Sequence, residues 1–134
     1  YLWAAFTRGY HFNLYDKPYE TPGAEDEQWE RFRHNLGKAV EYAARIDLAR
    51  ARPQPALAST GYCLADRGSA YVVFQPEKKA VVVRGLLQRR AYDFEWFDTC
   101  ANVVFDNGRF TASDDLRSFE SERADAVLVV IARD

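Results

Sequence analysis

Two prolines, Pro53 and Pro55, mark a change of hydrophobic period in this 134-residue chain, and that change constrains the fold more than any other feature. Upstream, Trp29, Phe32, Leu36, Ala39, Val40 and Ala43 recur every three or four positions, which predicts one amphipathic helix over about residues 26–45. Asp26 stands where an N-cap is needed, Glu27 and Glu30 lie at the positive end of the helix dipole, and Arg45 lies at the negative end. From Asp47 to Pro55 the period is lost, and proline cannot continue a helix. Downstream, β-rich runs at 61–65, 70–75, 80–84, 92–97, 103–105, 109–111 and 126–132 alternate with turn residues, a spacing that predicts an all-β sandwich or open barrel. Among the turns, Asn107-Gly108 is expected to close a tight hairpin between 103–105 and 109–111.

Ahead of the long helix, Leu2, Trp3 and Phe6 share a helical face, and Gly9 follows where a helix end commonly needs a left-handed residue. Residues 10–15 then read as a strand that Asp16-Lys17-Pro18 ends. Helix, strand and helix followed by strands alone do not make one simple layered domain. The expectation is two units, 1–52 and 53–134, with the boundary near Pro53. A lone strand between two helices lacks sheet partners, which predicts missing upstream strands. Tyr1 in first place and the absence of Met likewise predict a translation start upstream.

Composition removes several classes of function. A hydrophobic content of 48% supports a packed core, and the net charge of -2 with both signs mixed gives no overall basic field for nucleic acid. The longest apolar runs are far short of the roughly 20 residues that span a bilayer, so no membrane span is expected. Cys63 and Cys100 lack CxxC spacing and nearby histidine, which disfavours a metal site. Two buried free thiols are the favoured reading, with a single bridge as the alternative.

The run from Trp3 through Phe6, Arg8 and Gly9 to Asp16 resembles the pattern W-x-x-F-x-R-G-x-x-x-x-x-x-D, the passage from seventh helix to eighth strand that closes the barrel in a family of bacterial glycoside-hydrolase-like proteins. Leu57-Ala58-Ser59-Thr60-Gly61-Tyr62-Cys63-Leu64-Ala65 resembles that family's first C-terminal strand, and 70–76 and 95–98 are similar to later elements of it. The pattern departs after Phe97, where Asp98-Thr99-Cys100-Ala101 replaces the family's N-P-x-T-G turn. The resemblance implies an α+β chain: the end of an incomplete (β/α)8 barrel followed by an antiparallel β-sandwich of the type labelled collagen-binding. It further implies a parent that processes carbohydrate, secreted or periplasmic, whose catalytic carboxylates lie on barrel strands outside this chain. No cofactor or metal is implied.

On that basis His11, Asn13, Tyr15 and Asp16 fall at the functional rim of the last barrel strand, where they would contact substrate. Against this, the favoured reading of Asp16 before Lys17-Pro18 is a turn former, and a lone His11 on a strand is more often a satisfied interior residue. Trp96 and Phe97 are adjacent on a strand and point to opposite faces, so Trp96 is a candidate to stack on a ligand unless a second layer covers its partner face. His34 reads as a surface or boundary residue, and Arg89-Arg90 as a solvated charge pair or a contact for an acidic partner. None of these supplies a catalytic pair. The alternatives to an enzyme's accessory domain are a binding module for collagen-like or polysaccharide matrices, and a structural shield for a barrel.

Overall fold

The computed structural model describes residues 2–11 and 27–134. Helices α1 (Leu2–Thr7) and α2 (Glu27–Arg45) precede strands β1 (Arg52–Pro53), β2 (Cys63–Asp66), β3 (Ala70–Gln75), β4 (Val81–Arg84), β5 (Ala91–Asp98), β6 (Val103–Thr111), β7 (Leu116–Phe119) and β8 (Ala126–Ala132). Six strands form one sheet in the order β1-β2-β3-β8-β5-β6, and β4 pairs with β7 in a second. Every strand pairing among the described residues is antiparallel. The chain is therefore α+β and mainly antiparallel sheet, with the two-sheet arrangement of a β-sandwich. No parallel barrel element is present among the described residues, and most of the strand expected over 10–15 lies outside them.

The inner strands of the six-stranded sheet are buried on both faces. Strands β3 (AYVVFQ) and β8 (AVLVVIA) are almost continuously apolar for that reason, since each successive side chain enters a different core. Tyr71, Val73, Leu128, Val130, Tyr92 and Trp96 face β4 and β7 across the sandwich core. Val72, Val127, Val129 and Phe97 face Leu2 and Trp3 of α1 and Ala39 and Tyr42 of α2. The two helices thus find cover for their apolar faces in the sheet that follows them.

This second layer corrects the expectation of an outward aromatic ring. Trp96 is 1% exposed in the sandwich core and Phe97 is 3% exposed beneath the helices. The expected stripe on α2 is also adjusted: Val40 points outward at 65% exposure, while Tyr42 and Asn35 are buried. Gly9 ends α1 at φ +73, and a Cβ there would lie 2.9 Å from Cγ of Pro53, so both conformation and close packing require glycine.

The Asn107-Gly108 hairpin does not form. Strand β6 runs unbroken through both residues, and the chain reverses instead at 99–102, where Asn102 takes the left-handed conformation at φ 56. Gly108 lies opposite Phe94 in the ladder, and a Cβ on it would come 2.8 Å from the Phe94 ring. The glycine therefore serves cross-strand packing and not a turn. A bulge between Trp96 and Phe97 leaves Phe105 to stack on the Trp96 indole at 6.0 Å.

Strand β7 escaped expectation because only Phe119 of its four residues is buried. Cys63 is buried and Cys100 exposed, both as free thiols, which corrects the reading of two buried cysteines. Strand β2 lies three strands from β5, about 14 Å at the usual inter-strand spacing, and this places the two cysteines beyond disulfide reach.

Candidate functional site

Where α2 crosses the β5–β6 hairpin, a cleft of about 410 Å3 opens, lined by His34, Lys38, Glu41, Phe97, Asn102 and Val104. Spacings of four and three place His34, Lys38 and Glu41 on one flank of α2, beside its buried face. Asn102 comes from the hairpin turn, and Val104 pairs with Phe97 in the adjacent ladder.

A buried asparagine fixes the relative position of helix and hairpin. Asn35 Oδ1 accepts from Trp3 Nε1 at 2.7 Å, while Asn35 Nδ2 donates to the carbonyls of Arg31 and Thr99, each at 2.8 Å, and approaches Asn102 Oδ1 at 3.3 Å. One amide thereby joins α1, α2 and the hairpin, and no described buried side-chain polar atom is left without a partner. Asn102 Nδ2 also lies 3.5 Å from His34 Nδ1, which extends the same chain of contacts to the cleft surface.

The hairpin is held from its other side by Asp98. Its Oδ1 accepts from the backbone N–H groups of Cys100 and Ala101, and its Oδ2 meets Arg123 at 2.9 Å. Burial alone would raise the Asp98 pKa, but the Ala101 and Cys100 amides and the Arg123 guanidinium outweigh it and hold the carboxyl below its ordinary range.

Charge in and beside the cleft is paired. Lys38 Nζ contacts both Glu41 oxygens at 3.0 and 3.1 Å and lies over the Tyr42 and Phe97 rings. Arg45 meets Glu95 at 2.9 Å, and the Tyr42 hydroxyl also reaches Glu95. Burial first, and then the Glu95 charge, raises the Tyr42 pKa, so that hydroxyl stays protonated. The cleft can offer hydrogen bonds to a small polar ligand. Its single carboxylate is tied to a lysine, and acid/base hydrolysis of a glycosidic bond needs two.

The sequence-expected site residues do not converge here. His11 is exposed beyond the end of α1, and Asn13, Tyr15 and Asp16 lie outside the described residues. Trp96 is enclosed between the two sheets, with no face left for a ligand. His34 is exposed, as expected, yet it lines the cleft. Lys38, Glu41, Asn102 and Val104 carried no sequence signal, because only the crossing of helix and hairpin brings them together. No group of three or more His, Cys, Asp or Glu among the described residues could hold a metal ion, and no helix is long and apolar enough to cross a membrane.

No protein-family model matches the sequence, and no curated protein matches it. Among solved structures, a chain described as "Glycoside hydrolase" is similar in fold, with a TM-score of 0.60 at 12% identity over 84% of this chain. The match covers 27% of that chain, so this protein spans about a quarter of its structural neighbour. At this identity the likeness shows a shared fold and nothing finer.

Proposed function

We propose that this chain is the C-terminal portion of a carbohydrate-processing enzyme, in which residues 1–52 end an α/β barrel and residues 53–134 form an accessory sandwich. The observation that carries the reading is the fold likeness to a glycoside hydrolase over 84% of the chain. The cleft chemistry agrees with a non-catalytic role, since its one carboxylate, Glu41, is bound to Lys38. The hydrolytic carboxylates then belong to barrel strands outside this chain, and the enzyme is exported to act on extracellular or periplasmic glycans.

The test compares the 134-residue chain with the product of its complete reading frame on a panel of aryl glycosides. Turnover by the longer protein alone is expected. Activity of the short chain, or a complete frame lacking both barrel and activity, would overturn the proposal. Saturable retention of the short chain on collagen, with no hydrolase in the parent, would favour the matrix-binding alternative.

A further inference from the structure

Net charge conceals a segregation of charge that the fold creates. Three loops meet at the end of the sandwich opposite the 99–102 turn: the β2–β3 turn at 67–69, the β4–β5 loop at 85–90 and the β6–β7 loop at 112–115. Backbone bonds tie the last two together, Leu86 N–H to the Asp115 carbonyl at 2.9 Å and Arg89 N–H to the Ala112 carbonyl at 2.7 Å. The first two carry Arg67, Arg89 and Arg90, and Arg84 ends β4 beside them.

Two buried tyrosines fix these loops. The Tyr71 hydroxyl accepts from Gly68 N–H and donates to the Gly85 carbonyl, both at 2.7 Å. The Tyr92 hydroxyl accepts from Leu87 N–H at 2.9 Å and donates to the Gly68 carbonyl at 2.7 Å. Gly68 and Gly85 hold φ +83 and +81, and a Cβ on Gly85 would lie 3.0 Å from Arg67 Nε, which places the Arg67 side chain against the Arg84–Gly85 backbone. Arg90 reaches back to the Gly68 carbonyl at 3.3 Å. The arginines therefore stand on a scaffold ordered before any ligand arrives, which lowers the entropic cost of binding.

Arg67, Arg84, Arg89 and Arg90 form no salt bridge among the described residues. Of the nearby carboxylates, Asp66 faces Arg50 at 3.4 Å and Asp93 is shared by Arg109 and Arg133, while exposed Asp114 and Asp115 share the loop end, leaving four arginines against two acids there. Asp114 accepts from the backbone N–H of Asp115. Arg89 holds φ 70, a conformation that glycine would adopt at less cost.

We infer that this arginine-bearing loop end is a docking surface for an acidic polysaccharide whose uronate carboxylates engage Arg67, Arg84, Arg89 and Arg90. The choice of a polysaccharide over other polyanions rests on the carbohydrate-processing reading above. All four cations are arginine, whose planar fork matches the coplanar oxygens of a carboxylate in a way that a lysine ammonium does not. The three loops contain no aromatic residue on which a nucleic-acid base could stack.

The test measures binding of the 134-residue chain to polygalacturonate, with dextran sulfate, poly-glutamate, duplex DNA and neutral dextran as competitors. Saturable binding to polygalacturonate that weakens with salt is expected. Combined Arg67→Ala, Arg84→Ala and Arg89→Ala should weaken it about tenfold or more, and the matching lysine variants should recover only part of the loss. Lys78→Ala, on the remote β3–β4 loop, should leave it unchanged. Absence of binding, binding indifferent to the arginine variants, or equal or tighter binding of sulfate, peptide or DNA polyanions would each overturn the inference. Hydrolase activity in the parent without polyuronate binding defeats this inference alone, whereas arginine-dependent binding with an inactive parent defeats the functional proposal and leaves the surface intact.

Discussion

The two faces of the six-stranded sheet are buried in different ways. Facing β4 and β7, the core is built mainly from strands and holds Trp96, Tyr71, Tyr92, Leu128 and the valines of β3 and β4. Facing the helices, Val72, Val127, Val129 and Phe97 are covered by segments that precede the sheet, and Asn35 joins those segments to the β5–β6 hairpin. The first face is secured by apolar volume, with the Tyr71 and Tyr92 hydroxyls bonded to loop backbone at its end. The second combines apolar contact with polar ties at Asn35 and at Glu95, which meets Arg45 and the Tyr42 hydroxyl near the surface, so the helix layer should be the more readily released of the two.

The largest blow to this contrast would come from Trp96→Ala. Removing a fully buried indole costs about 3–5 kcal/mol, and because Trp96 lies in the core between the two sheets the whole chain should unfold at lower denaturant. Release of the helix layer alone by this substitution, followed by hydrogen exchange, would show that the sandwich core is not the common support. Asn35→Ala should cost less, about 1–3 kcal/mol, by leaving the buried Trp3 indole N–H and the Thr99 carbonyl without their partner. Its mark is spatial: α2 amides should lose protection while those of β3 and β8 keep theirs. Equal loss in both would mean that the two faces form one cooperative unit.

Asp98 sharpens the contrast from the hairpin side. Its folded pKa lies below the unfolded one, so its stabilising contribution is present above the ordinary carboxylate range and is lost as pH falls through the folded value. Asp98→Asn should therefore lower stability at neutral pH and flatten the loss of stability below about pH 4, as read by denaturation at a series of pH values. An unchanged acid limb would remove Asp98 from the account. The smallest effect concerns the thiols. Exposed Cys100 should react with a thiol reagent at once, and Cys63, whose pKa burial pushes up to about 12, should react only at the rate of unfolding. Prompt reaction of both would mean that the sandwich core opens as easily as a loop.

Much of this architecture was legible because burial leaves a periodic trace. Strands β3 and β8 match their expected bounds, and α2 matches within a residue, since continuous apolar runs and three-to-four spacing reflect which faces are covered. Asn107-Gly108 misled because the same glycine that suits a turn also makes room for the Phe94 ring across a ladder. Strand β7 left no trace, as one inward Phe119 among exposed neighbours has no period. The candidate sites were illegible for a related reason. His34 and Asn102 are 68 residues apart, and Asn35 reads as an ordinary helical polar residue until Trp3 and Thr99 are placed against it.

By itself, then, the sequence determined most of the local elements and the switch from helical to strand periodicity near Pro53, because these depend on neighbours a few positions apart. Only the tertiary structure decided that the helices cover the sheet's second face, that Trp96 and Phe97 are both enclosed, and that arginines from separate loops gather at one end. Those outcomes depend on chain crossings and on hydrogen bonds such as those of Tyr71 and Tyr92, which join residues that no local pattern relates.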